Sequence, residues 1–346
     1  MTRRWAGLAL AAILILLGAR ASHAEGKLVR VGVNGVISDG PLFIAERKGY
    51  FAQQGIAVKF VAFDSGPKMV APLGAGQLEV GAGAASAGLF NAAARGIGVK
   101  IVADKGSTTP TYSYMPLLIR KDLVDQGKVR TYADLKGLKL AEAGRGGSPG
   151  STLNEALKRG GLAYGDVQHV HNLGYPQQVV ALANGAIDGA ITTEPSVTQA
   201  VEKGVAMRFS GPDLYPNQQI AVLLYGADFA KNEPDLAAKF MVAYLRGVRF
   251  FDEAITGGRF AGPNAAEVID ILVQDTSTKD KALYKSMIAN GCDPDGFVNV
   301  ASLEKDLAFY KAQGYIEGEG AGVGDLVDHR FVERALESIG RFERKP

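Results

Sequence analysis

The stretch best equipped for chemistry is a glycine-rich loop that runs into a hydroxyl-bearing helix start. Gly144-Arg145-Gly146-Gly147-Ser148-Pro149-Gly150 leads into Ser151 and Thr152. Glycines let backbone N–H groups come close to a ligand. A helix start at that point adds unpaired amides and the positive end of a dipole, a setting that favours anions. Gly147, Ser148, Ser151 and Thr152 are therefore candidate ligand contacts, although the same residues also describe a flexible loop with a serine N-cap. Carboxylates offer a second chemistry. Glu194, placed before Pro195 at the end of an apolar strand, can hold an amine or N–H of a ligand, cap a helix or form an ion pair. Asp39 and Asp64 carry the same alternatives. Tyr112 and Tyr175 can stack on a ring or cover a hinge.

Catalytic and metal patterns do not assemble. Gly144-x-Gly146 and Gly81-x-Gly83 both lack the third glycine of a dinucleotide loop. Ser86 lies in Ala84-Ala85-Ser86-Ala87-Gly88, which lacks the first glycine of a nucleophile elbow. His169 and His171 stand two apart on one strand face with no cysteine or third histidine nearby, and read as strand residues. Cys292 is the single cysteine, which excludes an internal disulfide and every Cys-x-x-Cys site.

The elements that must position these residues repeat. Leu73 to Ser86 and Leu182 to Pro195 each read as a helix stopped by glycine, then a short apolar strand opened by an acid, then a small polar turn and a new helix. Leu73 matches Leu182, Gly76 matches Gly185 and Glu79 matches Asp188 at one offset of 109 residues. A single long repeat implies two similar α/β lobes. Ligands of open α/β sheets bind beyond the carboxyl ends of the strands, so Gly83–Ser86 and Thr192–Pro195 become opposite walls of one cleft.

Along the first lobe, strands are expected at Leu28–Val33, Ala57–Phe63, Leu78–Ala82 and Val99–Ala103, alternating with helices from Pro41, Met69 and Ala87. That alternation predicts a parallel sheet covered on both faces. Asp104 to Pro116 breaks the pattern, and Ser113–Pro116 reads as the first crossing between lobes. The second lobe follows, with strands at Leu138–Glu142, Val167–Asn172 and the repeat strand. Gly211–Asn217 is the second crossing. Ile220–Tyr225 returns to the first lobe, and helices complete the chain. The expected division is residues 25–115 with 217–346 as one lobe and 116–216 as the other.

Residues 1–24 read as a cleaved secretory leader: Arg3 and Arg4, an apolar run from Trp5 to Gly18, then Ser22-His23-Ala24. That run of 14 is shorter than the about 20 residues that span a bilayer. Removing the leader leaves 35 basic against 36 acidic residues. A surface so close to neutral has no electrostatic footprint for nucleic acid.

Pro41 to Phe51 with Gln54-Gly55, Gly76 to Gly81, Asp134-Leu135-Lys136-Gly137, and Ala186 to Ala190 with Glu194-Pro195 together resemble the solute-binding proteins of ABC importers in the nitrate/sulfonate/taurine and thiamine-precursor group, the NMT1-like family. The resemblance implies two Rossmann-like lobes joined by a hinge, as in type II periplasmic binding proteins, with extra C-terminal helices. It further implies a monomer in the periplasm that needs no cofactor or metal, holds a small-molecule ligand between its lobes and presents itself to an inner-membrane permease. By position, the family's pocket loops fall on Ser38-Asp39-Gly40, Asp64-Ser65, Ala85-Ser86, Ser148 to Thr152 and Thr193-Glu194. Only Arg145 stands near them as a base. That weighs against an inorganic anion such as nitrate and leaves room for a neutral or aromatic organic ligand, the expected solute being of the sulfonate, carboxylate or pyrimidine/thiamine-precursor type. An enzyme on the same fold, related to pyrimidine-precursor synthases, is the alternative, although their cysteine-rich motif is absent. A periplasmic sensor is a third reading.

Overall fold

The computed structural model describes residues 26–276 and 278–343; the expected leader lies outside them. Ten strands form two five-stranded sheets. The first sheet contains β1 (Lys27–Val33), β2 (Ile56–Ala62), β3 (Val80–Gly83), β4 (Lys100–Ser107) and β10 (Gln219–Tyr225). The second contains β5 (Leu117–Arg120), β6 (Lys139–Ala141), β7 (Gln168–Val170), β8 (Gly189–Ile191) and β9 (Ala206–Arg208). Their orders, β2-β1-β3-β10-β4 and β7-β6-β8-β5-β9, superimpose strand for strand. Helices lie between the strands in sequence, so both sheets are of the α/β kind.

The repeat is structural down to single hydrogen bonds. Glu79 accepts the backbone amide of Arg30 at 2.6 Å, and Asp188 accepts that of Lys139 at 2.9 Å. Arg30 and Lys139 are also 109 residues apart. In each lobe, the acid just before one strand (β3 or β8) ties down the parallel strand beside it (β1 or β6).

Neither sheet is purely parallel, which corrects the expectation. β10 runs antiparallel to both β3 and β4, and β5 runs antiparallel to β8 and β9. The pattern of alternating strands and helices describes β1 to β4 well, but each sheet takes its fourth position from a strand that follows a crossing segment. Such a strand enters from the far end and so runs against its neighbours. β4 also continues past Ala103 to Ser107, so the expected break begins four residues too early. Asp104, Lys105 and Gly106 are buried strand residues rather than loop.

The segments between these strands give α1 (Gly40–Arg47), α2 (Ala87–Ala94), α3 (Ser148–Arg159) and α4 (Ser196–Glu202). After β10 come α5 (Pro234–Glu253), α6 (Ala265–Asp275), α7 (Val300–Ala312) and α8 (Arg330–Ile339), with a small hairpin (Ile255–Thr256 and Arg259–Phe260), shorter helices and loops between them. α5 packs on α1 and α8, and Phe240 on it meets Phe51 at 4.7 Å between ring centres. α7 reaches the other lobe: Ser151 Oγ donates to Asp306, and Lys305 pairs with Glu155 at 2.7 Å. Among the described residues no helix is long and apolar enough to cross a membrane.

Candidate functional site

The carboxyl ends of the two sheets face each other across a cleft. Its inner part is a narrow chamber of about 30 Å³. Asn34, Ser38, Ser65 and Ala84 wall it from the first lobe, and Ala143, Gly147, Ser148 and Thr193 from the second. Lys105 and Tyr114 form its floor. A vestibule of about 790 Å³ opens outward, sharing Asn34, Val36 and Tyr175 with the chamber. Phe43, Phe60 and Phe63 give that vestibule an aromatic side; Asp64, Glu202 and Lys203 stand among its polar residues.

Two glycines make the chamber possible. A Cβ on Gly66 would lie 2.4 Å from Ala84 N, so the turn after β2 can press on the end of β3 only without a side chain. A Cβ on Gly106 would lie 2.6 Å from the Tyr114 hydroxyl, which that strand position leaves room for.

The chamber contains a buried cation. Lys105 is 1% exposed; its Nζ donates to Ser38 Oγ at 2.9 Å and lies 2.7 Å from Asp39 Oδ1. An ammonium has three N–H donors; the hydrogen bond to Ser38 uses one, and the contact with Asp39 is an ion pair in which Oδ1 accepts no well-formed hydrogen bond. Asp39 Oδ2 accepts the amides of Asn34 and Val36 at 3.1 and 3.0 Å, which fixes the loop after β1. The Tyr114 hydroxyl lies beside Ser38 without a well-formed hydrogen bond, and Thr193 Oγ1 has no partner. Burial pushes the Tyr114 hydroxyl well above its ordinary pKa, so it serves as a donor. Next in β4, Asp104 is wrapped by the amides of Asp293 and Gly106 and by Ser107 and Gln219. Burial nevertheless pushes its carboxyl up to about 6.

Hydrogen bonds join the walls across the cleft. Ile37 N donates to Glu194 O at 3.3 Å, Ala87 N to Gly146 O at 2.8 Å, and Ser148 Oγ to Ile220 O at 2.9 Å. The lobes are therefore drawn together in this structure.

Of the residues singled out from sequence, Ser38, Ser65, Gly147, Ser148, Tyr175 and Thr193 line the chamber, and Asp64 lines the vestibule. The others lie behind it or apart from it. Gly40 begins α1, where a Cβ would press on Phe251. Ala85 is buried behind the wall, its carbonyl accepting from Tyr310. Ser86 caps α2 by accepting Leu89 N. Ser151 is engaged by Asp306, and Thr152 Oγ1 donates to Gln218 Oε1 at 2.8 Å. Tyr112 packs against Gly258 of a small hairpin away from the chamber.

Glu194 realises the capping and ion-pair reading. Its carboxylate, fully buried, accepts Thr198 N and Oγ1 at 2.9 and 2.8 Å and pairs with Arg208. Burial raises this carboxyl against the pull of Arg208. Its oxygens face protein groups, not the chamber.

Lys105 and Tyr114 are the residues that sequence reading missed. Both fall in the stretch taken for irregular, where extending β4 by four residues would have shown a lone lysine inside a buried strand. The pocket loops themselves hold no base except nearby Arg145, which lies over the Tyr315 ring at 4.8 Å; the basic group of the chamber comes from outside them, as Lys105 of β4.

A profile of the NMT1-like family matches residues 22–273. A protein of Bacillus subtilis described as an aliphatic sulfonates-binding protein is 26% identical over 344 residues, covering 95% of this chain and 96% of that protein. Among solved structures, the alkanesulfonate-binding protein SsuA of Xanthomonas axonopodis, bound to MOPS, aligns with a TM-score of 0.68 at 18% identity. It covers 87% of this chain and 98% of its own. The periplasmic nitrate-binding protein NrtA of Synechocystis PCC 6803 aligns with a TM-score of 0.72 at 16% identity, covering 91% and 90%.

Proposed function

The chain belongs to the NMT1-like family, and from that premise we propose that it is the periplasmic solute-binding component of an ABC importer. In this reading it closes on a small organic anion, a sulfonate or carboxylate, and delivers it to a permease. The hinge would be formed by the crossings at 113–116 and 211–217.

The observation that carries the reading is Lys105. Its ammonium has donor capacity to spare, and Tyr114 Oη and Thr193 Oγ1 add two hydroxyls that lack good partners. The start of α3 supplies a helix dipole from the facing wall. Buried polar groups cost about 1–3 kcal/mol when left unmade, so an anionic head accepting from all three recovers that cost. The vestibule then selects the rest of the molecule. Phe43, Phe60, Phe63 and Tyr175 offer apolar surface that nitrate has no atoms to cover. The similar proteins from Bacillus subtilis and Xanthomonas axonopodis, described as binding aliphatic sulfonates and alkanesulfonates, agree with that preference.

Catalysis has no support among the chamber's residues. Ser38 lies near Lys105, but that lysine faces the Asp39 carboxylate and so acts as a donor rather than a base.

A thermal-shift and calorimetric screen of the leaderless chain tests this, with alkyl- and arylsulfonates, aromatic carboxylates, pyrimidines, thiamine precursors and nitrate. A ligand at a hundred times its Kd should stabilise by about 2.7 kcal/mol. Silence from every anion with a response from a neutral pyrimidine would overturn the anion reading; turnover of any ligand would overturn the transport reading.

A further inference from the structure

A second cluster lies on the second sheet, outside the residues used for solute capture. His169 lies on β7 and His171 directly follows its last residue, and two residues two apart in extended chain project to one face. Their rings are stacked, with centres 5.5 Å apart and 1° from parallel. β6 runs parallel beside them, Leu140 opposite His169 and Ala141 opposite Val170. Glu142 N then donates to Val170 O at 2.9 Å. This register brings Glu142 to the same face, next to His171. The fold thus supplies the third ligand that is absent from the linear neighbourhood of the histidines.

We propose that Glu142, His169 and His171 form a binding site for one divalent transition-metal ion of the zinc type. One ligand atom from each lies within 4.8 Å of those of the other two. Two nitrogens and a carboxylate oxygen are a donor set that suits zinc, cobalt or nickel better than calcium or magnesium.

The supporting groups are already in place. His169 Nε2 lies 2.8 Å from the Tyr164 carbonyl, which holds the proton on that nitrogen and directs Nδ1 toward Glu142. Metal-bound histidines need such an outer partner. The Tyr164 hydroxyl donates to both Glu142 oxygens at 2.8 and 3.0 Å, and orients the carboxylate. A Cβ on Gly150 would lie 2.6 Å from Glu142 Oε2, so glycine at that position gives the carboxylate its room. His171 Nδ1 is buried and has no hydrogen-bond partner.

Without an ion, His169 Nδ1 lies 2.9 Å from Glu142 Oε1. Both nitrogens of that ring then face acceptors, so a second proton occupies the place a metal would take. Burial lowers the His169 pKa, but the Glu142 and Tyr164 contacts raise it more. Metal binding requires His169 Nδ1 and Glu142 Oε1 to move apart slightly, toward the spacing that metal–ligand bonds of about 2.0–2.2 Å impose. It must also expel the proton from His169. A solvent molecule would complete the coordination. Because Ala143 and Gly144 adjoin Glu142 and wall the chamber, a bound ion would stiffen that wall.

The test uses the leaderless chain freed of any histidine tag. Cobalt(II) is added while the visible d–d bands are followed, and zinc binding is measured by calorimetry in buffers of different ionisation enthalpy. One ion per chain is expected, with tetrahedral-type cobalt bands and release of about one proton. Tyr164→Phe should weaken binding by about 10–100-fold, and His171→Ala by more. His171 is only partly buried, whereas Glu142 is fully buried, so that variant should fold even if Glu142→Gln does not. An unchanged aquo-cobalt spectrum, or equal zinc affinity in the His169→Ala/His171→Ala double variant, would overturn the site and leave Glu142 and His169 as a buried ion pair.

Discussion

Lys105 and Asp39 form an ion pair at 2.7 Å with neither side chain meaningfully open to solvent. The pair stabilises only while both members are present. Lys105→Met should lower stability by about 3–5 kcal/mol, because it strands a buried carboxylate. The double variant Asp39→Asn/Lys105→Met should recover much of that loss in a denaturant titration. Anion binding should not recover with it, since the charge that draws the anion is gone from both. Calorimetry showing wild-type affinity in the double variant would remove Lys105 from the site.

Tyr114→Phe separates binding from stability by sign. The hydroxyl is buried without a well-formed bond, so its removal should leave the ligand-free chain as stable as before, or more stable by about 1 kcal/mol. Affinity for the anion should nevertheless fall, by roughly tenfold for a lost hydrogen bond. Equal and parallel losses in both measurements would assign the tyrosine to packing.

Glu194→Ala should act on the fold, not the ligand. It leaves Arg208 without its buried partner and Thr198 N uncapped, at a cost of about 3–5 kcal/mol. The melting temperature should drop, and affinity measured well below it should stay within about twofold, a change worth less than 0.5 kcal/mol. A selective loss of affinity in a fully folded variant would return Glu194 to the list of ligand contacts.

Asp306 predicts a pH dependence. Burial pushes its carboxyl up to about 7 despite donors from Ser151 and Tyr215. Its folded pKa therefore exceeds the unfolded value of about 3.9, and the folded chain holds the proton more tightly. Stability should fall as pH rises from about 4 to 7, by on the order of 4 kcal/mol from this group. Asp104, pushed up to about 6, adds to the same trend. Asp306→Asn should flatten part of the slope, so wild type and variant converge or cross between pH 5 and 8 in urea titrations at about 25 °C. Parallel curves would show that the carboxyl titrates normally.

Two kinds of information separate what the sequence revealed from what it hid. The repeat was legible because its constraints are local. A glycine stops each helix, and an acid at the same place in each lobe reaches the amide of a neighbouring strand. Glu79 and Asp188 could therefore be matched before their hydrogen bonds to Arg30 and Lys139 were known. The loops at strand ends followed from the same logic, which is why Ser38, Ser148 and Thr193 meet in the chamber. Lys105 was hidden because its partner is far away: in a list of residues it looks like a turn lysine, and only the pairing of β4 with β10 shows that it is interior. Glu142 and the histidines were separated for the same reason. Their closeness is a matter of strand register, which no spacing in the chain records.

The placement of β10 also bears on the order in which the molecule can assemble. The second sheet takes all its strands from one continuous stretch, Leu117 to Arg208, whereas the first needs Gln219–Tyr225 between β3 and β4. Closing long loops is slow, and late-arriving strands delay the contacts that depend on them. The half of the chain that emerges first from the ribosome is thus the half whose sheet is completed last. Until β10 arrives, β3 and β4 each present an unpaired edge, the kind of surface on which chains aggregate. A chain truncated before Gln219 should accordingly keep a protected second sheet in hydrogen exchange while its first exchanges freely.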